Sequence, residues 1–166
     1  MTTGPGLALP VLDEALARRL GDRMAVVETA LAGHVRSRAS LVTEAASHLM
    51  SPGGKRARPL LVLLAAEAGG HPDVEAVVTA ACVVELTHLA SLYHDDVMDE
   101  ADVRRGAPSA NAAYDNSTAI LVGDLLFGTA SDIVADLGPE AVKIQAQTFI
   151  RLCSGQIRDD RPCPAG

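Results

Sequence analysis

The chain of 166 residues has no tryptophan and only two phenylalanines and two tyrosines. A core made from it cannot rest on aromatic packing, so its apolar 48% falls mainly on Ala, Leu and Val. Ala and Leu are strong helix formers, which points to an all-α fold, and so large an apolar share excludes an intrinsically disordered chain. Cysteine is scarce as well. There are three, an odd count, with no Cys-x-x-Cys spacing. Cys82 and Cys153 fall in apolar helical stretches and Cys163 in a Pro-rich tail, which reads as buried thiols in a reducing compartment. Positive charge is in deficit, with 14 Lys and Arg against 21 Asp and Glu and a net charge of −7. A duplex-binding protein needs a basic face to displace counterions, so nucleic acid is not an expected partner. A negative balance suits cation binding, and it suits ordinary solubility equally well. Long hydrophobic runs are missing too. The most apolar run, Leu60 to Ala66, stops at Glu67 and is far too short to span a bilayer. The opening Met1-Thr2-Thr3-Gly4-Pro5 carries no basic segment of the signal-peptide kind. The expectation is a cytoplasmic protein without a transmembrane segment.

What is present is helical periodicity. Residues 1–10, with Gly4, Pro5, Gly6 and Pro10, should be loose. From about Val11 to Val35, Leu12, Ala15, Leu16, Leu20, Met24, Val27 and Leu31 recur at intervals of three and four, the mark of an amphipathic helix. A second helix is predicted from about Ala39 to Met50, broken by Ser51-Pro52-Gly53-Gly54, and a third over Ala57 to Ala68, stopped by Gly69-Gly70. A long fourth helix runs from about Val74 to Glu100 without an internal Pro or Gly. Loop follows at Arg105-Gly106-Ala107-Pro108, then a helix from about Thr118 to Leu137 with Gly123 and Gly128 as points of close packing, and a last helix from about Glu140 to Ile157. No alternation is long enough for a strand.

Chemistry concentrates at His94-Asp95-Asp96-Val97-Met98-Asp99, near the end of the long helix. Asp95 and Asp99 are four apart and share a face, about 6 Å apart along the axis. Like charges at that spacing repel, and carboxylates at a helix C-terminus oppose the macrodipole. Two penalties at one place ask for a compensating cation. A few carboxylates completed by phosphate oxygens are the usual way to hold Mg²⁺. A solvated acidic helix end is the other reading. His88 stands two turns upstream on the same stripe, with Ser91 between, so this face reads as the wall of a polar cleft. A second cluster, Gly53-Gly54-Lys55-Arg56-Ala57-Arg58-Pro59, sets two glycines and three cations at a helix start. Free N–H groups and Arg forks there describe a phosphate site, with a basic surface loop as the alternative. Arg104-Arg105 follows the acidic helix end, either as salt-bridge partners or as phosphate ligands.

Taken in order and spacing, these pieces resemble the trans-isoprenyl diphosphate synthases, or polyprenyl synthetases. The matching residues are Gly-Gly-Lys-Arg-x-Arg-Pro at 53–59, the run from Glu85 through Leu-Thr-His-Leu-Ala-Ser-Leu-Tyr-His-Asp-Asp-Val-Met to Asp99, and Arg104-Arg105-Gly106. Leu121-Val-Gly-Asp-Leu-Leu-Phe127 and the stretch around Gly155-Gln156 are similar too, so the resemblance runs from about residue 10 to 158. Class I terpene cyclases share Asp-Asp-x-x-Asp but lack the Gly-Gly-Lys-Arg-x-Arg-Pro loop. The resemblance implies an all-α helical bundle around an apolar cavity, the isoprenoid synthase type. It implies a Mg²⁺-dependent prenyltransferase that joins isopentenyl diphosphate to an allylic diphosphate through a carbocation. Lys55, Arg58, His88 and Arg105 would hold the diphosphate of isopentenyl diphosphate. Asp95 and Asp99 would bind the Mg²⁺ that grips the allylic diphosphate, with Asp96 and Arg104 assisting. Bulky residues four, five or eight positions before the first aspartate floor the family's cavity. Here those are Ser91, Ala90 and Thr87, all small, which implies a product of geranylgeranyl length or longer.

One departure shapes the remaining expectations. The family has a second aspartate-rich motif on a facing helix, whereas here Asp159-Asp160 runs into Arg161-Pro162-Cys163. Residues 1–166 are therefore expected to form about the first half of a polyprenyl synthetase domain, with an irregular tail over 159–166. That half should be inactive alone and should associate, as a homodimer or with a C-terminal half. The competing reading is a noncatalytic diphosphate- or Mg²⁺-binding subunit, or a helical association module, of a split or heteromeric synthase.

Overall fold

The computed structural model describes residues 13–36, 40–50, 56–104 and 106–159. Among them are seven helices: α1 (Glu14–His34), α2 (Ser40–His48), α3 (Ala57–Ala68), α4 (Glu75–Met98), α5 (Ala110–Ala113), α6 (Asn116–Ala135) and α7 (Pro139–Asp159). A two-stranded hairpin, β1 (Val103–Arg104) and β2 (Ala107–Pro108), separates α4 from α5. The fold is all-α, as the Ala- and Leu-rich composition requires.

α1 starts where Asp13 caps it, accepting the Ala15 and Leu16 N–H groups at 2.8 and 3.1 Å; such a cap contributes about 1 kcal/mol. Its buried stripe is Leu20, Met24, Val27 and Leu31, the inner part of the predicted pattern. α3 keeps its predicted bounds and ends at Gly69, with Gly70 in the left-handed region at φ 76°.

α4 is the central element. Ala81, Cys82, Leu86, Leu89, Ala90 and Tyr93 are fully buried along it, and it packs on α6 and on α1 and α3. Burial pushes the Cys82 thiol up to about 11. Tyr93 donates its hydroxyl hydrogen to the Ala45 carbonyl and accepts from the Leu49 N–H at 3.4 Å, which staples α2 to α4.

Gly123 explains how closely α4 and α6 pack. A Cβ there would overlap the His94 ring and lie 3.2 Å from the Ala90 carbonyl oxygen. Gly128, expected to act likewise, faces open space.

Other expectations need correction. The hairpin exists, although no strand was expected. Its register, Val103 to Pro108 and Arg104 to Ala107, is too short to leave an alternating pattern in the sequence. It turns through Gly106 at φ 81°. α5 was also unexpected. It is a single turn capped by Ser109, which accepts the Ala112 N–H and donates to the Ala101 carbonyl. Cys153 is exposed rather than buried, because none of the residues of α7 is buried. α7 also carries on through Asp159, where an irregular tail was expected. The rest of that tail, Cys163 included, and the loose residues 1–10 lie outside the described residues.

By length and composition alone, α4 and α6 are both apolar enough to cross a membrane, which the short run at Leu60–Ala66 did not foretell. Their most apolar stretches are 61% and 39% buried inside the protein. The apolarity of α4 is thus spent on the core, while α6 leaves Ile120, Leu121 and Leu125 exposed.

Candidate active site

The last two turns of α4 carry the acidic motif. Asp95 is half-buried and Asp99, the residue that caps the helix, is exposed. Burial, and next the Asp99 charge, push the Asp95 carboxyl above its ordinary value, while Arg104 pulls the other way. The two carboxylates therefore feel each other across one turn. Among the described residues no three His, Cys, Asp or Glu side chains converge as a preformed metal cage. Two same-face carboxylates, one of them strained by burial, fit a hard cation whose other ligands are ligand or water oxygens.

The helix stops in a Schellman arrangement. The Ala101 N–H bonds the Asp96 carbonyl at 3.0 Å and the Glu100 N–H bonds the Val97 carbonyl at 3.3 Å. Glycine usually takes the left-handed position of such a stop, but here Glu100 does, at φ 47°. Replacing Glu100 with glycine is expected to stabilise the chain by about 1 kcal/mol, read as a higher urea midpoint. An unchanged or lower midpoint would show that the Glu100 side chain makes up for the strain.

Asp96 lies about 100° round the helix from Asp95 and is fully buried. One of its oxygens takes the Arg104 Nε–H and the other takes the Ala110 N–H at 3.0 Å. It thus ties both the hairpin and α5 to α4 and orients Arg104 beside Asp95.

His88 is half-buried two turns before Asp95. Ser91 donates to the His88 carbonyl at 2.9 Å. Thr87, nearly buried, donates to the Val83 carbonyl and accepts from Gln145 of α7 at 3.3 Å. Ala90 is buried against α6. Arg58 is exposed on the first turn of α3. Lys55 and Arg105 lie outside the described residues.

Arg56, read as a third cation of the loop, turns inward instead. It bonds Glu28 at 2.5 and 3.3 Å, Glu85 at 3.0 Å and the Met50 carbonyl at 2.9 Å. Sequence reasoning passed over Glu28 and Glu85 because they are 28 and 29 residues from Arg56. The one available signal was Glu85 itself, a carboxylate on the apolar face of α4. His94, named within its motif, was given no role of its own. Its Nε2 lies 3.2 Å from Asp124 and 3.3 Å from the Ile120 carbonyl oxygen, both on α6.

The chain is similar to known proteins in both sequence and fold. The family model for polyprenyl synthetases matches residues 39–163. The nonaprenyl diphosphate synthase of Mycobacterium tuberculosis is 50% identical over 149 residues, covering 90% of this chain and 44% of the relative. Component 2 of the heptaprenyl diphosphate synthase of Geobacillus stearothermophilus is 43% identical, over 87% of this chain and 45% of the relative. The crystal structure of geranylgeranyl pyrophosphate synthase from Corynebacterium glutamicum, complexed with calcium and isoprenyl diphosphate, superposes with a TM-score of 0.79 at 45% identity. That match covers 92% of this chain and 46% of the crystallised one. The chain spans under half the length of each of these proteins. It belongs to the polyprenyl synthetase family.

Proposed function

We propose that the chain supplies the N-terminal share, residues 1–166, of a polyprenyl synthetase domain. In this reading it condenses isopentenyl diphosphate with an allylic diphosphate in a Mg²⁺-dependent reaction. The observation that carries the proposal is the Asp95–Asp99 pair, with its half-buried carboxyl pushed up at the mouth of α4. The divalent ion would neutralise the leaving diphosphate. Asp95 and Asp99 hold the ion. Arg104, steadied by Asp96, faces the same allylic diphosphate. Lys55, Arg58, His88 and Arg105 bind the diphosphate of isopentenyl diphosphate and set its double bond against the allylic carbon. Such alignment of two reactants can contribute roughly 7–11 kcal/mol. The protein works in the cytoplasm, where both diphosphates are water-soluble.

A C-terminal half completes the site, and the 166-residue chain is inactive without it. The exposed apolar side chains Ile120, Leu121 and Leu125 on α6 and Ile144, Ile150 and Leu152 on α7 give the chain a surface for association, as a homodimer or with that half. The likeness to a protein named as component 2 of a synthase favours a second form of the same reading, one subunit of a heteromeric enzyme. The experiment is turnover of labelled isopentenyl diphosphate with Mg²⁺ and an allylic diphosphate. The chain alone should show none. Mixed with the remaining half of the 50%-identical relative, it should show Mg²⁺-dependent turnover that a chelator stops. Robust condensation by the chain alone, as a monomer in light scattering, would overturn this account.

By the family resemblance, the small side chains at Thr87, Ala90 and Ser91 suit a product of geranylgeranyl length or longer. In the mixed enzyme, Ala90→Phe should shorten the product by one or more isoprene units in chromatography. A farnesyl-length product from the unsubstituted chain would sink this part.

A further inference from the structure

Arg56 stands out as a non-glycine residue held at φ 43°, just ahead of the first turn of α3 and without a side-chain cap for that helix. A conformation of this kind is strained and persists only where the surroundings over-determine it. Here they do. The guanidinium is 10% exposed and meets three acceptor groups from three parts of the chain: Glu28 of α1, Glu85 of α4, which is 3% exposed, and the Met50 carbonyl beyond α2. The planar fork of arginine reaches two carboxylates and a carbonyl from three separate nitrogens, whereas the three N–H groups of an ammonium all leave one atom and cannot span acceptors set around the fork.

We infer that Arg56 is a positioning residue. It locks the start of α3 to α1 and α4 and so fixes where Arg58 stands relative to the carboxylates of α4. Glu85 sits on the same helix as Asp95 and Asp99, 10 and 14 residues before them. At 1.5 Å per residue, α4 then works as a ruler of about 15 and 21 Å between the clamp and the two aspartates. The two ends of the site are thereby tied to one rigid element. This inference rests on the proposed diphosphate site only in what Arg58 binds. The clamp itself is read from the contacts.

The experiment separates a positioning role from a direct one by sign. Binding of inorganic pyrophosphate to the chain is followed by titration calorimetry, and amide exchange over residues 57–60 by mass spectrometry. If Arg56 positions, Glu28→Gln should weaken pyrophosphate binding about threefold and speed exchange in the first turn of α3, while the interior of α1 stays protected. Arg56→Lys should weaken binding about tenfold, as much as Arg56→Gln, because charge without the fork does not restore the clamp. If Arg56 were itself an anion ligand, Glu28→Gln would free its charge and tighten binding, and Arg56→Lys would keep most of the affinity. Either of those results overturns the inference. Loss of affinity in Arg58→Ala supports the diphosphate site. Absence of pyrophosphate binding in the unsubstituted chain counts against that site alone, since unchanged exchange at 57–60 in Glu28→Gln and Arg56→Lys would by itself refute the clamp.

Discussion

Replacing both Asp95 and Asp99 with alanine is expected to remove Mg²⁺-dependent diphosphate binding, by roughly a hundredfold or more, because a site with few protein ligands loses two at once. Calorimetry on the chain mixed with its complementary half checks it, and binding that survives in the double variant would sink the assignment. A milder variant tests the same point through stability. Burial and then Asp99 push the Asp95 carboxyl up, so its ionised form is less comfortable folded than unfolded. The resulting cost is fully present above the raised folded value and vanishes as pH falls below the ordinary value of about 3.9. Asp95→Asn should therefore raise stability slightly at neutral pH, by less than about 1 kcal/mol because the half-buried group is still screened by solvent. That gain should disappear in acid. Mg²⁺ with pyrophosphate should stabilise the unsubstituted protein and leave the Asn variant unmoved.

Asp96→Ala should behave in the opposite way, costing roughly 3 kcal/mol of folding stability. The substitution strips a fully buried carboxylate from Arg104 and leaves the Ala110 N–H without its acceptor. Breaking a buried pair from one side typically costs 3–5 kcal/mol, and the lower end applies because the Arg104 side chain is 24% exposed. Urea unfolding reads the loss directly. Equal midpoints for Asp96→Ala and the unsubstituted chain would show that its bonds to Arg104 and Ala110 do not hold the fold together.

The contrast between these neighbours shows which parts of the molecule a linear reading could reach. Long elements with uninterrupted periodicity were accessible, because a buried stripe repeats: α3 matched residue for residue, and α4, read as Val74 to Glu100, runs Glu75–Met98. α6 begins two residues earlier than read because the Asp115 carboxylate accepts the Thr118 N–H at 2.8 Å. The hairpin and α5 have no period to display; they form because Asp96 of α4 accepts from both and Ser109, between them, caps α5 and bonds the Ala101 carbonyl. At the site, the pairing of Asp95 with Asp99 follows from helix geometry alone. The inward turn of Arg56 does not, since its partners arrive from helices far away in sequence. The inward turn of Asp96 was within reach. Adjacent positions on a helix cannot share a face, so three acidic residues in a motif of five were never all going to meet one ion.

Gly123 has a consequence for how this molecule moves. The His94 ring occupies the place where any side chain at 123 would be, and it is flanked on α6 by the Ile120 carbonyl and the Asp124 carboxylate. A slide of α6 along α4 by one turn would bring Ala119 or Leu126, the buried residues on the same face as Gly123, against that ring. Shear between these two helices is therefore blocked, while a pivot that parts them at one end is not. Relaxation-dispersion NMR would reveal a pivot as exchange growing toward one end of α6, whereas uniform exchange along it would mean sliding. Since α4 carries the acidic cluster and packs on α1 and α3 as well, any opening of the site is expected to be a hinge of α6 about α4.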